Sequence, residues 1–234
     1  MTVLAAVQGA APWIGITVPT VLFTATDRTS VEMQAMVNEA AQAICEDFDW
    51  QRLKVLNTIT GDGSDEDFDL PSDYARMPKD AKLWPSDEPN SPLVHILSDD
   101  KWLEYEVQDF DSVTNRWIIY GGSLHIKPAV TNGTTVKHFY ISNKIISATG
   151  SSTLTKTEFT VDTDSFFLGD RLLKLAIIWR WKAAKGRPYA QDEDNYNKLR
   201  DELAGGDKGA KVLHIGRQRF PSDVTVAYPY EIVP

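Results

Sequence analysis

The stretch 166–204, FFLGDRLLKLAIIWRWKAAKGRPYAQDEDNYNKLRDELA, constrains this chain most. It predicts two consecutive helices. The first runs over about 170–185, with Asp170 at its start and Lys182 and Lys185 at its end, the charge order that a helix dipole favours. Gly186 supplies the left-handed stop and Pro188 follows. The second helix covers about 189–204, with Asp192, Glu193 and Asp194 in its first turns and Gly205-Gly206 as its end.

In the first helix Leu172, Leu175, Ala176, Trp179 and Ala183 form one apolar face. Leu173, Ile177, Ile178 and Trp181 widen it to most of the circumference, and a helix of that kind is covered by more than one layer. Arg171, Lys174, Arg180 and Lys182 interrupt the run, so it does not read as a membrane span. Two readings stay open: a central core helix, or one packed on its own domain and on a neighbouring subunit. On the second, Leu172, Leu175, Ala176 and Trp179 face home. Ile178, Arg180, Trp181, Lys182 and Lys185, with Asp192 and Glu193 on the next helix, meet the neighbour.

The rest of the chain reads as layers around this pair. Residues 1–28 hold Pro12 and Pro19 and show no clean period, which predicts an extended segment anchored by Trp13, Ile14 and Phe23. Thr29 and Glu32 form a capping box before a helix over 30–47. That helix carries Met33, Val37, Ala40, Ile44 and Phe48 on one face, and Trp50 packs beyond its end. From about 51 to 161 the pattern is that of strands: 53–59, short runs near 81–84 and 93–97, then 116–120, 123–127, 135–142 and 155–161. Ser98 caps a short helix after 98. Gly121-Gly122 predicts one hairpin, and Asn132-Gly133 a second joining 124–127 to 135–142. The fold class is α+β: a small helical bundle (helices near 30–47, 170–185 and 189–204) with an inserted antiparallel β-rich region and extended N- and C-terminal arms. The expected division is 1–28, a core over 29–205, and a tail over 206–234.

That tail is basic in an acidic protein and too apolar to remain solvated. It either pairs at home as a strand or docks on another protein. The formal net charge of −9 argues against a basic nucleic-acid-binding surface. The one cysteine, Cys45, excludes an intrachain disulfide, and its acidic neighbours disfavour a nucleophile. No basic region precedes an apolar stretch at the N-terminus, so the expectation is a soluble protein made in the cytosol with no membrane partner.

No constellation of catalytic or metal-binding residues emerges, and no cofactor is expected. Asp65, Asp67 and Asp69 imitate a calcium loop, but Leu70 and Arg76 stand where its glycine and glutamate belong. Gly61-Asp62-Gly63 lacks the third glycine and helix of a dinucleotide site. The four histidines are single, although His125 and His138 would face each other if their strands were neighbours. Asp162/Asp164 and Asp99/Asp100 are acidic pairs of the kind hydrolases use, yet such chemistry needs two carboxylates across a cleft.

The chain resembles the adaptor (head-to-tail connector) proteins of tailed bacteriophages. The resemblance is carried by APWIGITVPT at 11–20, DFDWQRLKVLNTITGDGSDEDFDLPSDYARM at 47–77 and NRWIIYGGSLHIKPA at 115–129. It continues through FTVDTDSFFLGDRLLKLAIIWRWKAAKGRPYAQDEDNY at 159–196 and KVLHIGRQRFPSDVTVAYP at 211–229. It implies a non-enzymatic virion protein of the neck, assembled in the host cytoplasm. It also implies a ring of about twelve copies between portal and tail or nozzle protein, with packaged DNA passing through the lumen. On this reading Arg217, Arg219, Phe220, Val224, Val226, Tyr228 and Tyr230 belong to an arm that docks on the portal. Two other readings compete: a β-rich receptor- or carbohydrate-binding module using Trp84, Trp102 and Trp117, and a hydrolase built on an acidic pair.

Overall fold

The computed structural model describes residues 2–108 and 115–207. Its architecture is α+β, with helices gathered around one apolar core and two small sheets beside them. The sequence opens with a helix, α1 (Val3–Ile14), where an extended segment was expected. The buried positions Val3, Ala6, Val7, Ala10, Ala11 and Ile14 follow a helical stripe, but the alanines blur it against an equally apolar background. Pro12 lies in the last turn, where only one hydrogen bond is forfeited. Thr2 caps the start by accepting from the Ala5 N–H, and Gly15, at φ 72°, closes the end.

The extended character survives only after Gly15. Leu22, rather than Phe23, is the plug of this strap: it is fully buried, and the backbone around it is fastened on both sides. Gln34 donates to the carbonyls of Leu22 and Ala25, and Gln8 to that of Pro19. The next helix, α2 (Arg28–Asp47), is capped by Asp27, whose carboxylate accepts from the Ser30 N–H at 3.1 Å. This corrects the Thr29–Glu32 box. Glu32 instead pairs with Arg28 one turn before it and with Lys185. Met33, Val37, Ala40 and Ile44 are buried as the period predicts, and Trp50 packs beyond the end with its indole N–H on the Ile44 carbonyl at 2.8 Å.

The β region forms two sheets and a small ribbon. One sheet holds β1 (Lys54–Thr60), β3 (Tyr74–Arg76) and β4 (Trp84–Pro85), all antiparallel to β8 (Thr135–Ser142). The other has the order β2 (Asp67–Asp69), β7 (Ser123–Lys127), β6 (Arg116–Tyr120), β5 (Val94–His95). Its β5–β6 pair is parallel, a departure from the all-antiparallel expectation. The β6–β7 hairpin closes across Gly121 and Gly122, both at positive φ as such a turn requires. The Asn132-Gly133 turn is present but joins strands of different sheets, because it folds back on Gly61 instead of closing a ladder. A Cβ on Gly61 would lie 2.3 Å from the Val130 carbonyl oxygen, so only glycine permits that approach. Residues 155–161 make no strand beyond an isolated bridge at Lys156. The ribbon partner of β9 (Ile146–Ser147) is β10 (Ser165–Phe166).

Between the sheets' strands lies α3 (Asp99–Gln108). Trp102, Ile96 and Ile118 bury one another beneath it. The chain then returns to the helical half through α4 (Asp170–Ala184) and α5 (Ala190–Asp207). α5 runs through Gly205 and Gly206, two successive poor helix formers, because the Asp207 carboxylate accepts from the Gln51 N–H at 2.6 Å and holds the end. α4 is central, packed against α1, α2 and α5. Two arginines join the pieces: Arg187 donates to the Ile14 carbonyl at the end of α1, and Arg76 to the Cys45 and Phe48 carbonyls at the end of α2.

Candidate functional site

The residues expected to meet a neighbouring subunit lie where α4 passes α2 and α5. Ile178 is 2% exposed and Trp181 4%, so both spend their surface inside this chain. They belong to the core, because α4 is covered on three sides rather than two. The basic edge is engaged at home as well. Lys182 and Asp192, both expected to face a neighbour, meet each other at 2.6 Å in the same chain. Lys185 pairs with Glu32 and lies over the Trp181 ring at 4.9 Å. Arg180 approaches Glu39 at 3.7 Å and lies over Trp179 at 5.1 Å. Glu193 is half-buried on α5. Leu175 and Trp179, read as core, are only partly buried.

What remains open here is a groove of 690 Å³ between α2 and α4. Ala35, Met36 and Ala183 line it with the edges of Trp179 and Trp181, and Glu32, Glu39, Arg180 and Lys185 rim it. An apolar floor inside a ring of already paired charges has no chemistry to perform. It offers area to another apolar surface.

The acidic pair Asp162/Asp164 is a fastener. Asp162 accepts from the N–H groups of Leu22 and Phe23 at 2.8–3.1 Å, and its carbonyl accepts from Leu4. Asp164 is fully buried and accepts from Lys156 Nζ at 2.9 Å and from the N–H groups of Thr160 and Val161. Burial opposes its ionisation, but the ammonium and the two amides outweigh that, and the carboxyl is held below the ordinary carboxylate value. With every oxygen engaged, neither group is positioned to move a proton for a substrate. The signal in the sequence was present: two acids two residues apart beside Thr163, a turn composition that favours capping of backbone amides.

The histidines do not meet. His125 Nδ1 contacts Asp67 Oδ1 at 2.5 Å on one sheet, whereas His138 lies on β8 in the other. His138 is buried, with neither ring nitrogen partnered among the described residues, and burial pushes its pKa down. Cys45 is buried and burial pushes its thiol up, away from reactivity. Among the described residues no group of three or more His, Cys, Asp or Glu is placed to hold a metal ion, and no helix is long and apolar enough to cross a membrane. Of the three tryptophans a binding module would use, Trp102 and Trp117 are core and only Trp84 is exposed. Arg217, Arg219, Phe220, Val224, Val226, Tyr228 and Tyr230 lie outside the described residues.

The arrangement is that of a protein whose polar groups lock its own segments and which leaves open apolar area in the groove beside α4. Comparison with curated proteins finds no match. The SU10 adaptor protein family model matches residues 1–226, nearly the whole chain, and the chain therefore belongs to that family of phage structural adaptors.

Proposed function

We propose that this adaptor forms a ring of about twelve copies between the capsid portal and the tail, with packaged DNA crossing its lumen without sequence-specific contact. The observation that carries the reading is the family match over residues 1–226. The apolar groove beside α4 supports lateral association, since its paired rim leaves only apolar area to be covered. A formal net charge of −9 supports a channel that does not retain DNA. The tail over 206–234, with Arg217, Arg219, Phe220, Val224, Val226, Tyr228 and Tyr230, serves as the portal-docking arm, and a tail or nozzle protein binds the opposite end. The protein resides in the virion neck after assembly in the host cytoplasm.

The test pairs electron micrographs with a deletion. The full chain incubated with its portal gives rings seated on the portal. A chain lacking 208–234 keeps the thermal unfolding of the full chain and loses portal attachment. Unchanged portal affinity in the truncated chain removes the arm from the reading, and absence of rings in any preparation removes the ring.

A further inference from the structure

The sheet built on β8 turns an apolar face outward. Register places Leu56 directly opposite Phe139, and Trp84 opposite Lys137, on one side of the sheet. Leu56 is 52% exposed, Phe139 53% and Trp84 42%. Together they floor a cleft of 610 Å³ bounded by the end of α2 and by residues 76–84. Lys54, Lys79, Lys82 and Lys137 surround it, and none forms an ion pair among the described residues. Of the acids on the same rim, Asp49 is engaged by Arg76 and Asp47 by Arg200, leaving Glu46 and Asp80 against four lysines. Unpaired lysines gathered around large exposed apolar groups are out of character for a chain of net charge −9.

The complementary surface is on the other sheet's helix. α3 buries Trp102, which turns Asp100, Leu103, Glu104 and Val107 outward at the spacing of a single helical face. Leu103 is 58% exposed and Val107 82%. Neither Asp100 nor Glu104 forms an ion pair among the described residues, in contrast to Glu106, which meets Lys127 at 2.9 Å. The helix thus shows an apolar pair flanked by two free acids, and the cleft an apolar floor flanked by free lysines.

We infer that the cleft over Leu56, Trp84 and Phe139 receives the outward face of α3 from a second copy of this chain. The contact uses two different patches, one on a sheet and one on a helix, so each copy offers one and receives the other. Such a head-to-tail contact propagates and closes into a ring by rotation, whereas a self-complementary patch stops at a dimer. Leu103 and Val107 fill the floor, and Asp100 and Glu104 meet the lysines, which sets register and direction. The inference rests on the ring reading and says which surfaces make the ring.

The test uses the single, buried Cys45 as a silent background. The full chain carrying both Leu56→Cys and Leu103→Cys, mildly oxidised, is run on a non-reducing gel. A covalent ladder extending past the dimer is expected, with each single variant giving at most a dimer. Adding Lys82→Glu and Lys137→Glu should cut the ladder about tenfold, and adding Asp100→Lys and Glu104→Lys to those should restore it. A dimer alone, no ladder, or a ladder indifferent to charge reversal overturns the contact. Micrographs of the unsubstituted chain separate the two levels: rings without a ladder leave the ring standing and discard this contact, and neither rings nor ladder discards both.

Discussion

The helical half and the β half of this adaptor use apolar residues in opposite ways. In the helical half, α1, α2 and α4 bury most of theirs, Trp13 and Val31 excepted, and polar groups such as Asp162, Asp164, Gln34 and Arg187 fasten backbone to backbone. In the β half the core is small, built on Ile59, Leu83, Trp117, Leu124, Ile126 and Val136, while Leu56, Trp84, Phe139, Leu103 and Val107 face outward. The difference separates a scaffold from a surface. Apolar area that is not needed to hold a fold, and is still kept in the open, is area for a partner.

The sharpest way to break the contrast is to truncate one tryptophan in each half. Trp50→Ala removes a fully buried ring and its hydrogen bond to Ile44, and should cost about 3–5 kcal/mol in urea unfolding. Trp84→Ala should stay within about 1 kcal/mol, because a half-exposed ring leaves little cavity. Equal losses would mean that the outer sheet face is part of the fold's own support.

The fasteners come next. Asp164→Asn should cost about 2 kcal/mol at neutral pH, measured by the same unfolding, since Lys156 loses its charge partner and two amides keep a weaker acceptor. The two halves should also differ in acid. A carboxyl held below its unfolded value of 3.8 contributes stability above that pH, lost as pH falls through the folded value, and the asparagine variant should lack this loss. His138 acts earlier. Burial depresses it from 6.5, so the unfolded state takes up its proton first and stability declines as pH drops below that value. A His138→Gln chain should show a flatter stability profile between neutral pH and the carboxylate range.

An effect of comparable size, about 1–3 kcal/mol, is expected for Gly61→Ala, where the added methyl meets backbone at Val130. Its value lies in position. The strain falls where β1 meets the turn before β8, and lowered thermal stability with the Leu56–Phe139 face still able to cross-link would separate folding of the β half from use of its surface.

Much of the helical half was legible in advance. The α4 and α5 spans, the Gly186 stop and the stripe of α2 follow from spacing and from single residues with one conformational purpose. α1 was not, because four alanines carry little contrast and Pro12 reads as a break unless the helix is known to end there. Ile178 and Trp181 were placed at a boundary because a helix apolar all round demands several neighbours. Spacing counts those neighbours and does not say whether they come from the same chain. α1, hidden from the pattern, is one of the three helices of the same chain that pack on α4.

The sheets show the same division. Alternation and the Gly121-Gly122 turn are local, so the β6–β7 hairpin could be read directly. The assignment of β7 and β8 to different sheets depends on Gly61 accepting the Val130–Thr131 backbone, a contact between segments about seventy residues apart. Family membership and the α+β composition were therefore properties of the sequence alone, since they rest on order and local pattern. Which apolar residues close the core and which are left for a partner was decided only in three dimensions, because burial is set by every layer that reaches a residue and not by the helix or strand that carries it.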